Sequence, residues 1–215
     1  NKVIGYGTLN QHLTAMRYSD WALGEFFEKA RKAPYFNDTL FVIVGDHGFG
    51  TPEQLTEIDL YRFHVPLLLV GPSVTETFGN KNFIVGSQVD IVPTIMGRIS
   101  ANVQHQCWGR DLLNMSQHDQ GFAIIKPSGG NQTSAIIEDD RILVKPEGLP
   151  SKLYRYQLNG GVEREVDVLP EVIENMTNRL NAYFQTATTS LLRNTTGIFP
   201  SMGNQVDIQT EANSP

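Results

Sequence analysis

Apolar positions recur through the first 33 residues at the spacing of one helical face. Leu9, Leu13, Met16, Trp21, Leu23, Phe26 and Phe27 form a broad stripe, so residues 9–33 are predicted to be an amphipathic helix that Pro34 ends. The pattern then changes. After the turn pair Asn37-Asp38, "TLFVIV" at 39–44 is a continuous apolar run rich in β-branched residues, which predicts a strand buried on both faces, as in a parallel sheet. Residues 46–62 are polar without a period and predict a long loop. "VPLLLVG" at 65–71 is a second apolar strand, with Pro66 near its start. "SQVDIVPTIMGRI" at 87–99 predicts a helix that Ser87 can cap, with Pro93 kinking it or marking its first turn. Three short strands follow at 121–127, 135–145 and 152–158 with no helix between them, which predicts an antiparallel meander or hairpin attached to the main sheet. Residues 170–193 predict a last amphipathic helix, and 196–215 a polar tail. Helix, short loop and buried strand give an α/β rhythm.

Composition narrows the function classes. In 215 residues, 40% apolar and 19% charged describe an ordinary globular chain with enough sequence for a real core. The formal net charge of −6, with no Lys/Arg cluster, argues against nucleic acid as a partner. No run reaches the roughly 18 apolar residues of a membrane span. Cys107 is the only cysteine, so no internal disulfide and no zinc-ribbon spacing exist. The chain begins at Asn1 and leads directly into helical periodicity, and so reads as a piece of a longer protein.

The candidate chemistry lies where the first strand ends, in "FVIVGDHGFG" at 41–50. In parallel α/β sheets, ligands bind beyond the carboxyl ends of the strands. Asp46 and His47 sit at that end, and glycines on both sides allow a turn that brings neighbouring side chains to one cleft. A carboxylate oxygen with an imidazole nitrogen suits one borderline divalent ion, Mn²⁺ or Zn²⁺ in preference to Ca²⁺ or Mg²⁺. Asp-His-Gly is also an ordinary turn sequence, in which Asp bonds its own backbone and Gly takes a positive φ. Two ligands do not complete a site, since about four are usual. Among the other histidines, His64 precedes a strand and faces either the same cleft or a structural role, while His12, His105 and His118 read as surface positions. Cys107 has no evident base beside it and reads as a small buried hydrophobe. Arg17, Tyr18, Asp20 and Trp21 read as helix packing.

"YSDWALGEFFEKARKAPYFNDTLFVIVGDHG" at 18–48 resembles the sulfatase-like members of the alkaline phosphatase superfamily, and among them the phosphoglycerol transferases, including lipoteichoic acid synthases. "HVPLLLVGP" at 64–72, "SQVDIVPTIMG" at 87–97 and "CWGRDLLN" at 107–114 are similar to later segments of that family, in the same order. The resemblance covers roughly residues 5–190. It implies an α/β fold, the C-terminal portion of an alkaline phosphatase-like three-layer sandwich with a small antiparallel strand region and a C-terminal helix. It implies that residues 1–195 are the C-terminal part of the catalytic domain, that Asp46 and His47 are metal ligands, and that Thr51 and His64 contact substrate. The family's nucleophile and its remaining ligands precede the first helix and are expected in a missing N-terminal half, so the fragment alone is expected to be inactive. The implied substrate is a phosphate or sulfate ester, including lipid-linked ones. The implied setting is the extracytoplasmic face of a bacterial inner membrane, in a membrane-anchored protein. An arylsulfatase-type hydrolase and a non-enzymatic interaction module, with Asp46-His47 as a turn, are the competing readings.

Overall fold

The structure is a computed structural model that describes residues 2–50, 56–99, 104–116, 118–127, 132–157, 161–163 and 170–196. The chain divides into two compact units, Asn1–Asp46 with Val65–Asn82, and His47–His64 with Phe83–Pro215. The fold is mixed α/β, with antiparallel sheets and a C-terminal helix.

The first unit holds α1 (Asn10–Ala30), β1 (Phe41–Val44), β2 (Leu67–Val70) and the short α2 (Val74–Phe78). α1 follows the predicted stripe but stops before Pro34. Its apolar face is only partly covered: Phe26 and Phe27 pack edge-on against Phe41, whereas Met16 and Trp21 are 61% and 57% exposed. β1 pairs with β2 in a two-stranded antiparallel sheet, with Phe41 opposite Val70 and Val44 opposite Leu67. The expectation of a parallel, doubly buried strand is corrected here. A continuous apolar run records burial but not direction, and these strands are only partly buried, with Val44 and Leu68 exposed.

The second unit is built on a five-stranded antiparallel meander, β3 (Phe122–Ile125), β4 (Ser134–Glu138), β5 (Arg141–Lys145), β6 (Lys152–Gln157) and β7 (Gly161–Glu163), in sequential order. Among the described residues, none of these strands pairs with β1 or β2. The single strand expected at 135–145 is a hairpin that turns at Asp139-Asp140, with Asp139 at φ 51°. Aspartate tolerates this left-handed conformation better than most residues.

Alternation along the strands gives the sheet two apolar faces. Ile136, Leu143 and Leu153 face α4 (Pro170–Leu192), which covers them with Met176 and Leu180. Ile125, Ala135, Ile142, Val144 and Tyr154 face the other way and are covered by Ile58 and Leu60. The polar segment after β1 thus supplies core residues to this unit. Glu57 ties the segment down, accepting from Lys152 Nζ at 2.6 Å and from the Tyr154 hydroxyl at 2.8 Å. Burial raises the Glu57 pKa, but the Lys152 and Tyr154 hydrogen bonds outweigh it and leave the group below its ordinary value of 4.5.

Ser87 begins the turn Gln88–Asp90 that leads into α3 (Ile91–Ile99), with Pro93 in the first turn of that helix. Asp90 is 1% exposed. Its carboxylate accepts from Ser87 N at 2.7 Å, from Arg110 N at 2.7 Å and from Arg110 Nη2 at 2.9 Å. Arg110 also donates to Phe122 O at 2.7 Å and lies 3.8 Å from the centre of the Phe122 ring. The Thr94 hydroxyl donates to Asp90 O and accepts from Leu112 N. Arg98 pairs with Asp111 at 2.8 Å. A Cβ on Gly109 would overlap the Val89 carbonyl, and one on Gly97 would overlap the Asp111 carboxylate. Two segments that were separate motifs in the sequence are therefore one clasp.

Replacing Asp90 with Ala strands the Arg110 guanidinium and the backbone N–H groups of Ser87 and Arg110 in a partly buried site, so urea unfolding should show a loss of about 3–5 kcal/mol. A loss below about 1 kcal/mol would show that the clasp is incidental. Glu57 carries a depressed pKa, so its contribution is present above the unfolded value of 4.5 and is lost as pH falls through the lower folded value. The denaturation midpoint of Glu57→Gln should therefore differ from that of the parent at pH 7 and converge with it toward pH 3. A constant difference across that range would exclude this linkage.

Candidate metal centre at the end of β1

Five apolar or small residues carry the chain along β1 and out to Gly45. Asp46 closes the first unit and His47 opens the second, and both side chains are exposed. The local geometry of His47 is set by its own loop. Its Nδ1 lies 2.9 Å from Gly48 O, and a carbonyl only accepts, so Nδ1 carries the proton. In the neutral imidazole the lone pair is then on Nε2, the tautomer that a metal-binding histidine needs when a backbone carbonyl orients its other nitrogen.

Gly48 holds this loop by close approach. Its N–H donates to Arg62 O at 2.7 Å, and a Cβ there would overlap the Tyr61 carbonyl. Neither Gly45 nor Gly48 has a positive φ. Gly48 supplies the close backbone approach expected of a glycine here, making room for the Tyr61-Arg62 backbone, and not the positive φ of a plain Asp-His-Gly turn. The Tyr61-Arg62 segment is fixed by Leu60, which is buried in the second core. So the residues that position His47 are Gly48, Leu60 and the Tyr61-Arg62 backbone. Only the glycine was visible beforehand, because a lone apolar Leu in a polar stretch has no periodic signal.

His64 is exposed at the end of the turn Leu60–Arg62, where its N–H donates to Leu60 O at 3.0 Å. The Gly48–Arg62 bond joins the loop of His47 to the segment that carries His64. Thr51 lies outside the described residues. His12 is exposed on α1, as expected, and His118 is exposed in a loop. His105 is half-buried, and its Nδ1 accepts from Cys107 N at 3.2 Å. Cys107 is also half-buried. Among the described residues, no three His, Cys, Asp or Glu side chains are grouped to hold a metal. Taken singly, the Asp46 carboxylate and the His47 imidazole with Nε2 as its acceptor are donor types that divalent ions accept. Among the described residues, no helix is long and apolar enough to cross a membrane.

Residues 5–101 match the Sulfatase family. A lipoteichoic acid synthase-like protein, YvgJ of Bacillus subtilis (strain 168), is 27% identical over 121 residues, 49% of this chain and 19% of that protein. Lipoteichoic acid synthase 1 of the same organism is 26% identical over 129 residues, 54% of this chain and 20% of that protein. The chain therefore spans about a fifth of the length of these curated relatives. A crystal structure of an alkaline phosphatase superfamily protein from Vibrio parahaemolyticus aligns with a TM-score of 0.71 at 24% identity, over 92% of this chain and 46% of that one. Residues 5–101 thus match the Sulfatase family, about half of the chain is similar in sequence to two lipoteichoic acid synthase-type proteins, and the fold is similar to that of the Vibrio protein.

Proposed function

We propose that residues 1–195 are the C-terminal part of a sulfatase-like catalytic domain that transfers or hydrolyses a phosphate- or sulfate-linked group. Within that class we favour a phosphoglycerol-type transferase, because both Bacillus relatives are named for lipoteichoic acid synthesis. The observation that carries the reading is the end of β1. It lies inside the family match, and there Gly48 O orients His47 with its lone pair on Nε2.

Asp46 supplies a carboxylate and His47 supplies Nε2 to one divalent ion, Mn²⁺ or Zn²⁺. When bound, such an ion lowers the pKa of a coordinated hydroxyl and faces the charge that develops on phosphoryl oxygens. Asp46 offsets the ion's positive charge, and the Gly48 carbonyl keeps the His47 ring in one tautomer. Thr51 and His64 are proposed to contact the ester group. The nucleophile and the remaining ligands lie outside these residues, and the substrate includes lipid-linked esters. The proposed setting is the extracytoplasmic face of a bacterial inner membrane.

In a protein that carries the whole domain, Asp46→Asn should cut turnover of a chromogenic or lipid phosphodiester about 10³-fold or more. Circular dichroism should stay unchanged, because the substitution is isosteric and the residue is exposed. Retention of more than about a tenth of the activity would remove Asp46 from the ligand set. The 215-residue chain alone should bind Mn²⁺ and Zn²⁺ only weakly by calorimetry, because two protein donors displace water poorly. Submicromolar binding that vanishes in Asp46→Ala would instead mean that the ligand set is complete within this chain.

A further inference from the structure

A cavity of about 520 Å³ opens in the second unit beside α4. This is the size of a small-molecule site, which is typically about 300–1,000 Å³ and mainly apolar with a few fixed polar groups. Three rings line it: Trp108, Phe122 and Tyr183. Each is held by the surrounding structure. Trp108 Nε1 donates to Ser190 Oγ at 2.8 Å, which pins the indole to α4. Phe122 is stacked by Arg110, whose guanidinium is bound to the buried Asp90. Tyr183 meets the Phe122 ring edge-on at 6.3 Å. Burial, and then the Asp90 charge, push the Tyr183 phenol above its usual pKa, so it is a neutral donor near pH 7. Walls fixed in this way do not have to be ordered when a ligand arrives.

Among the described residues, Arg179 is the one charged residue in the lining. Its guanidinium lies 5.8 Å from the Phe122 ring centre, and one terminal nitrogen faces Glu138 at 2.8 Å. A guanidinium has five donors in a planar fork, and Glu138 takes only one nitrogen. The remaining donors lie beside an aromatic pocket.

We propose that this cavity is a binding site for a small aromatic anion, with the rings of Trp108, Phe122 and Tyr183 taking its apolar body and Arg179 its carboxylate, sulfonate or phosphate group. The inference does not depend on the metal-centre reading, and its test involves no turnover.

The probe is 1-anilinonaphthalene-8-sulfonate, with N-phenyl-1-naphthylamine as the analogue lacking the sulfonate. In a Trp21→Phe background Trp108 is the only tryptophan, so energy transfer from it reports occupancy of this cavity. Saturable binding with transfer from Trp108 is expected. Ala182→Phe and Thr186→Phe place bulk into the lining without adding a second tryptophan and should each weaken binding at least about tenfold, with the circular dichroism and urea midpoint of the parent retained. Arg179→Gln should weaken the sulfonate probe about tenfold and leave the neutral analogue unchanged. No saturable binding, or affinity unchanged in whichever of the two filled variants keeps its fold, overturns the site. Equal affinity for the two probes overturns the anion assignment.

Discussion

Asp90 is a charge that the second unit could not bury alone. Moving a carboxylate out of water costs several kcal/mol, and only a full set of donors offsets it. Here Ser87 and Arg110 provide them. Because Arg110 also bonds Phe122 O and stacks on its ring, the same charge fixes α3, the 107–113 segment and the first strand of the meander in one arrangement. Gly97 and Gly109 make the approach possible by leaving out side chains that would collide. Much of the specificity of this unit comes from one satisfied carboxylate, whereas its bulk stability comes from the two apolar faces of the sheet.

This separates the family-like segments by what their polar residues do. In "SQVDIVPTIMG" and "CWGRDLLN", Asp90, Thr94, Arg110 and Asp111 are occupied with one another or with nearby backbone. They hold structure. Asp46 and His47 are both exposed, and the His47 Nδ1 faces a carbonyl of its own loop. Polar residues that a fold needs tend to be buried and hydrogen-bonded.

Much of the secondary structure could be read from the chain. Both apolar runs are strands, the 3.6-residue stripes are α1 and α4, and Ser87 opens the turn before α3. Strand direction could not be read, because "FVIV" and "LLLV" look alike in parallel and antiparallel pairs. The Asp139-Asp140 hairpin was missed because the pair lacks the glycine that usually marks a tight turn. The Asp90–Arg110 link joins residues 20 apart, a separation that no local periodicity encodes. At the candidate site, residue types and order were readable. The steric reason for Gly48 was not, since it lies in the backbone of Tyr61.

The path of the chain has a consequence for how the protein can be taken apart. It leaves the first unit between Asp46 and His47, returns at Val65 and leaves again at Phe83. Each unit is thus assembled from two separated stretches, and β1 waits for the whole 47–64 excursion before its partner strand exists. No single cut excises either unit intact. A permutation or recombination breakpoint at 64/65 would sever both units, and one at 46/47 or 82/83 would sever one and spare the other.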